Sequence, residues 1–232
     1  MENGQKHWYE KWWGILLILF LTLTAIVLVA LGFYIADLTG RIKGGTTANG
    51  QLLAEISDYK TAKANPVITG ANNYWLGSAK PKITIVEFAD FDCQNCKNSF
   101  PNIREISLNY KNDVKIIFRD FPVYENSINL ALAGRCAGEQ GLFWLMHDKL
   151  YARQGNFSPE ELPNFANQIG ADVNKFNNCL SNEKYLSDIK KDYADGQSMG
   201  ITGTPTWFIN GYRIEGDIPH DLFIQIIEEL IK

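Results

Sequence analysis

The longest uninterrupted apolar stretch in the chain runs from Ile15 to Ala36 and contains no charged residue. About 22 residues at 1.5 Å each give roughly 33 Å of helix, enough to cross a hydrocarbon core. Trp8, Tyr9, Trp12 and Trp13 lie on one side of it and Phe33 and Tyr34 on the other, as an interfacial aromatic belt would. A cleaved signal peptide is the competing reading, and Ala30-Leu31-Gly32 is a weak cleavage site. Signal peptides, however, carry a shorter apolar region of about 7–15 residues. The pattern predicts a short cytoplasmic tail over 1–14 and a transmembrane signal anchor over 15–36.

Residues 37–65 read as a flexible spacer. Gly40, Gly44-Gly45-Thr46-Thr47 and Asn49-Gly50 are loop-type residues, and Leu52, Leu53, Ile56 and Tyr59 fit only a short amphipathic helix. A folded domain is expected over 66–232. Pro66–Thr69 suits an edge strand, with turn signals at Asn72-Asn73 and Gly77-Ser78. Lys82–Phe88 is β-branched and apolar, so it predicts a buried strand, and Val114–Phe118 a second. Between them Phe100, Ile103, Ser107 and Tyr110 recur at helical spacing, with Pro101 expected to kink the helix.

From about 126 to 200 the pattern is helical throughout. Ile128–Ala137 and Leu142–Arg153 are the first two predicted helices. Ser158-Pro159-Glu160-Glu161 starts a third that stops near Gly170, and Asp172 and Ser181 are candidate caps for two more. Thr206–Ile209 and Tyr212–Ile214 flank Asn210-Gly211, a strong hairpin signal, and Pro219–Ile231 forms a terminal helix.

The 232 residues are 46% hydrophobic, enough for a sizeable core. A net charge of −4 and the absence of any Lys/Arg run argue against nucleic acid as a partner. The chemistry lies in the cysteines. Cys93-Gln94-Asn95-Cys96 follows the first buried strand through a short link, Ala89–Asp92. If a helix starts at Cys93, its free N–H groups and positive dipole end favour a thiolate there. Cys96 then lies one turn further in. An exposed low-pKa nucleophile beside a buried resolving thiol makes a redox dithiol. The other reading is half a zinc site. Zinc needs a second such pair or two spaced His, whereas Cys136 and Cys179 stand apart and only His7, His147 and His220 remain. No metal and no cofactor is expected. His147, alone on a helix, reads as a packing or surface residue.

The segments "ITIVEFADFDCQNCKNSFP", "IIFRDFP", "ALAGRCAGEQGLFWLMHDKLY" and "GITGTPTWFING", in that order, resemble the DsbA-type thiol:disulfide oxidoreductases in their single-pass membrane-anchored form. The similar region covers about Asn72 to Lys232. The resemblance implies an α/β thioredoxin-like fold: a mixed central sheet flanked by helices, with an all-helical insertion at about 126–200. It makes Cys93 the attacking thiol and Cys96 the resolving one. Thr204-Pro205 matches a cis-proline motif packed against the dithiol, where the Thr204 backbone receives substrate. Glu87, six residues before Cys93, matches a partly buried acid below the active site, placed in the family to relay a proton to or from Cys96. An ordinary half-exposed strand Glu is the alternative. Asp90 and Asp92 read as turn residues that point away from Cys93. The Gln94-Asn95 dipeptide lacks the Pro or His frequent in the family, which leaves redox poise open.

Cys136 and Cys179 are either separate buried thiols or one structural disulfide between the first and fourth insertion helices. The even cysteine count favours the disulfide, given an oxidising compartment. Lys6 and Lys11 face Arg41 and Lys43, so the positive-inside rule does not orient the anchor. A stable dithiol catalyst belongs outside the cytosol, which puts the N-terminus inside and the domain outside the cell membrane. The expected function is disulfide exchange with protein thiols or disulfides, as an oxidant reoxidised by a membrane redox partner. The alternatives are a reductase or isomerase of the same fold, or a non-catalytic tethered module binding unfolded chains or copper(I).

Overall fold

The computed structural model describes residues 12–62, 65–71 and 73–232, and their side chains except at 41–43 and 46–48. The expectations for residues 1–11, including Lys6, His7, Trp8, Tyr9 and Lys11, and for Asn72 lie outside the described residues, as do the side chains of Arg41 and Lys43. The chain divides into two compact units at Leu52–Leu53.

Helix α1 spans Trp12–Ser57. Its stretch Trp12–Gly40 is long and apolar enough to cross a membrane, and its Leu, Ile, Val and Phe side chains are largely exposed. The expected flexible spacer is therefore helical as far as Ser57. No proline interrupts the chain between Trp12 and Ser57. A glycine inside a helix costs about 1 kcal/mol relative to alanine without ending it.

The second unit begins near Leu53 rather than at Pro66. Ile56 is fully buried, the Tyr59 ring meets Tyr212 edge-on at 5.2 Å, and the Tyr212 hydroxyl donates to Glu55 at 2.6 Å. Pro66–Thr69, expected as an edge strand, is a single helical turn, α2. The reason is local: the Asn65 carboxamide accepts from Val67 N–H at 2.9 Å, and Pro66 takes the first helical position.

The strands are β1 (Tyr74–Gly77), β2 (Ile83–Ala89), β3 (Val114–Asp120), β4 (Thr206–Ile209) and β5 (Tyr212–Glu215). They form one mixed sheet in the order β1-β3-β2-β4-β5. Only the β2–β3 pair is parallel, and β1–β3, β2–β4 and β4–β5 are antiparallel. Central β2 and β3 read as apolar runs because both faces are covered. Asn210 (φ 49°) and Gly211 (φ 94°) close the β4–β5 hairpin in the left-handed region that an Asn-Gly turn supplies. This is the thioredoxin-like α/β fold expected from the sequence.

Helix α3 (Gln94–Asn109) connects β2 to β3 and contains Pro101. Five helices follow β3: α4 (Ser127–Gly138), α5 (Phe143–Arg153), α6 (Leu162–Gln168), α7 (Val173–Ser181) and α8 (Leu186–Ser198). The terminal helix is α9 (His220–Ile231). A 3₁₀ turn, Pro159–Glu161, precedes α6, and the Glu161 carboxylate accepts from Ser158 N–H at 2.9 Å. The Asp172 side chain caps α7 by accepting from Asn174 and Lys175 N–H. Ser181 is not a cap. It ends α7, and the chain turns through Glu183 (φ 47°) before α8.

A buried charge network, unforeseen in the sequence, ties β3 to the insertion. Arg119 Nε and Nη2 donate to Asp192 and Asp195, both at 2.7 Å, and its Nη1 donates to the carbonyls of Val67 and Ile68 at the end of α2. Arg135 of α4 donates to Asp120 and Asp192, each at 2.5 Å. Burial pushes the Asp120 carboxyl up to about 6 even with Arg135 beside it.

Candidate active site

β2 delivers its C-terminal end, Ala89, into the turn Asp90–Asp92, and α3 starts immediately after it. Asp90 is more than the turn residue that its sequence context suggests. It is 2% exposed and holds the turn together. Its carboxylate accepts from Asp92 N–H (2.8 Å), Val123 N–H (2.7 Å) and the Ser127 hydroxyl (2.7 Å), while its carbonyl accepts from Cys93 N–H (3.1 Å). An Asp that accepts from the residue two further on is an Asx turn, which is the signal that could have revealed it. From the insertion, the Tyr151 hydroxyl reaches the Asp90 carbonyl and Gln154 Nε2 the Phe91 carbonyl at 2.9 Å.

Cys93 is the N-cap residue of α3, with extended backbone (φ −83°, ψ 123°). Its Sγ lies 3.2 Å from the Thr204 carbonyl oxygen. The Thr204–Pro205 peptide is cis and leads into β4. The thiol pKa falls to about 6. The Cys96 thiol hydrogen-bonds to it, the Thr204 side chain adds to this, and the free N–H groups of Cys96 and Asn95 at the helix start contribute, against an opposing effect of burial. The expectation of an exposed nucleophile is corrected: the residue is only 4% exposed. The Thr204 carbonyl lies against its sulfur.

Cys96 is fully buried. Burial drives its thiol well above the ordinary value, helped by the hydrogen bond to Cys93 and the charge of Glu87. Both thiols are free in this structure. Glu87 lies mid-strand in β2, opposite Trp207 of β4 and Phe118 of β3. It is 2% exposed, and Oε1 has no hydrogen-bond partner. Burial, and then the neighbouring Cys93, raise its pKa to about 8. The fold thus brings Cys93, Cys96, Glu87, Thr204 and Pro205 into one site.

Cys136 and Cys179 lie elsewhere. They form a disulfide between α4 and α7 with a Cα–Cα distance of 5.7 Å. His147 is fully buried among Phe91, Phe100, Phe118, Phe143, Trp144 and Tyr151 and packs against their rings. Among the described residues no group of three or more His, Cys, Asp or Glu converges as a metal site requires.

A family model described as thioredoxin matches residues 69–229. Among solved structures, BdbD from Bacillus subtilis in its oxidised form is 26% identical and superposes with a TM-score of 0.62, covering 74% of this chain and 97% of that one. The thiol-disulfide exchange protein alpha-DsbA2 from Wolbachia pipientis is 22% identical with a TM-score of 0.65, covering 79% and 98%. That likeness is one of fold. Among curated proteins, the Na(+)/H(+) antiporter NhaA 1 of Salinispora arenicola is 33% identical over 143 residues, 60% of this chain and 22% of the antiporter. The chain thus spans about a fifth of the length of the curated relatives it matches.

Proposed function

Since the chain belongs to the thioredoxin family, we propose that its Cys93–Cys96 pair makes it a DsbA-type thiol:disulfide oxidoreductase acting on protein substrates, in the direction of oxidation. The observation that carries this is the unequal pair: Cys93 with a pKa near 6 against the Thr204 carbonyl, and Cys96 buried with a pKa well above the ordinary value.

The exchange follows from that inequality. In the oxidised protein a substrate thiolate attacks Cys93 Sγ. The Cys93–Cys96 bond breaks, a mixed disulfide forms, and its electron pair leaves on Cys96 Sγ. Glu87, whose pKa of about 8 keeps it protonated at neutral pH, gives Cys96 a proton in this reading. A second substrate thiolate then attacks the substrate sulfur and expels Cys93 as a stable thiolate. Two electrons have passed from the substrate to the protein. Run in reverse, Cys93 attacks a substrate disulfide and Cys96 resolves the adduct. A low-pKa Cys93 stabilises the dithiol form, and so makes its disulfide the more oxidising. The extended Thr204 backbone beside the thiol suits pairing with a substrate strand.

The apolar helix and the second disulfide support the location. Trp12–Gly40 is long enough to span a bilayer, and a structural disulfide such as Cys136–Cys179 persists in an oxidising compartment. In this reading residues 15–36 anchor the protein with the N-terminus inside, and a membrane partner withdraws the electrons. The test is disulfide formation in a reduced, unfolded protein by the oxidised chain, alongside its reduction potential against glutathione. Oxidation at a potential well above the −270 mV of thioredoxin supports the reading. Efficient insulin reduction at a potential near that of thioredoxin favours the reductase alternative.

A further inference from the structure

We propose that the loop 216–218 is a bracket fixing Cys93 against Thr204, with Ser99 and Asp217 as its positioning residues. The proposal rests on the exchange reading for the substrate chemistry, but the bracket is visible without it.

The site has two halves that come from distant parts of the chain. One is the start of α3, which carries Cys93 and Cys96. The other is the Thr204–Pro205 segment ahead of β4. Three consecutive residues hold both. Gly216 N–H donates to the Pro205 carbonyl at 2.8 Å, and the Gly216 carbonyl accepts from Trp207 Nε1 at 2.8 Å. Asp217 Oδ1 accepts from the Ser99 hydroxyl at 2.5 Å. The Ile218 carbonyl faces Asn102 Nδ2 at 3.5 Å. The first two bonds fix the proline side, and the other two fix α3.

Ser99 is the decisive position. It lies three residues after Cys96 in α3 and is 1% exposed. A buried hydroxyl must find an acceptor, and a carboxylate is the stronger one. Among the described residues the hydroxyl has one other acceptor, the Asn95 carbonyl, 3.1 Å away within α3. Its single proton therefore chooses between closing on its own helix and tying that helix to the loop. Gly216 (φ 82°) adopts a conformation that only glycine holds freely, so the loop is shaped to turn back here. Asp217 itself is exposed, so its side chain adds little to the core. The Cys93 Sγ–Thr204 O contact of 3.2 Å spans the gap that this bracket sets.

The test uses S99A, D217A and D217N, the last keeping an oxygen acceptor. Iodoacetamide alkylation of reduced Cys93 against pH is read beside disulfide exchange and thermal melting. With the bracket broken, the midpoint of alkylation moves up by roughly 1 pH unit, because the Thr204 side chain that lowers it is no longer held beside Cys93. Exchange falls about tenfold or more in kcat/KM, since small misplacements cost rate. D217N retains the wild-type midpoint. S99A/D217A is no worse than either single variant, as expected of two residues acting through one bond. Alkylation midpoints and exchange unchanged in S99A and D217A, with only the melting temperature altered, would overturn the bracket. If the unmodified chain exchanges no disulfides, the exchange reading fails, and the alkylation midpoints alone still decide the bracket.

Discussion

Cys93 Sγ and the Thr204 carbonyl oxygen lie 3.2 Å apart although 111 residues separate them in the chain. This contact joins the helix that activates the thiol to the segment that would receive substrate. The lowered thiol pKa, which comes chiefly from the Cys96 thiol beside Cys93, sets a pH profile. Alkylation of the reduced protein should show a midpoint near pH 6 at Cys93, with Cys96 unreactive until strongly alkaline pH. Linkage gives the matching stability term. The folded pKa lies below the unfolded thiol value of 9.0, so the stabilisation is fully present above pH 9 and is lost as pH falls through 6. At pH 7 about 1.4 kcal/mol of it remains in the reduced form. Reduced protein melting at the same temperature at pH 6 and pH 9, once the oxidised form's pH dependence is subtracted, would count against it.

Glu87 should destabilise the protein as pH rises. Its folded pKa of about 8 stands above the ordinary 4.5. The favourable contribution of its neutral form is therefore present below 4.5 and lost as pH climbs through 8. Glu87→Gln removes that penalty, and urea denaturation at pH 7 should show a gain of roughly 2–3 kcal/mol. The same variant should slow exchange at neutral pH, because Cys96 loses its proton donor. A variant that is no more stable, or that exchanges as fast, contradicts this role.

The Cys136–Cys179 disulfide closes a separation of 43 residues. Replacing both with Ala should cost about 4 kcal/mol by the chain-entropy relation, seen as a lower denaturation midpoint. The active-site pair lies outside the loop, so exchange per folded molecule should be unchanged. An unaffected midpoint would show that packing alone holds α4 to α7.

Asp192 accepts from both Arg119 and Arg135 inside the core. Asp192→Ala leaves two buried guanidinium groups short of a partner and should cost about 3–5 kcal/mol. Denaturant titration reads this directly. A loss below about 1 kcal/mol would mean that water or Asp195 replaces the bond.

Much of this was legible because it is local. Apolar β2 and β3, the Asn210-Gly211 turn and the Asp172 cap each declare themselves within a few residues. So did the order of strand, cysteine pair and helix at Cys93. What was hidden depends on partners far away in the chain. Arg119 and Asp120 look like the polar end of a strand, and nothing near them announces Asp192. Asp90 reads as turn chemistry until Val123 and Ser127 arrive to bond with it. At Pro66–Thr69 the apolar residues suit a strand, yet the Asn-Pro start signal beside them wins and makes a helical turn. The helix through Gly40 and Gly44-Gly45 persisted because glycine weakens a helix without ending it.

The central claim, that Cys93 is the nucleophile of a disulfide exchange, is tested most directly by trapping. Cys96→Ala should be reduced, mixed with a peptide disulfide at neutral pH, and analysed by non-reducing mass spectrometry. The account predicts a stable mixed disulfide at Cys93, formed at a rate that rises through pH 6, and none with Cys93→Ser. No adduct on Cys93 in the Cys96→Ala protein, or an equal adduct after Cys93→Ser, would contradict it.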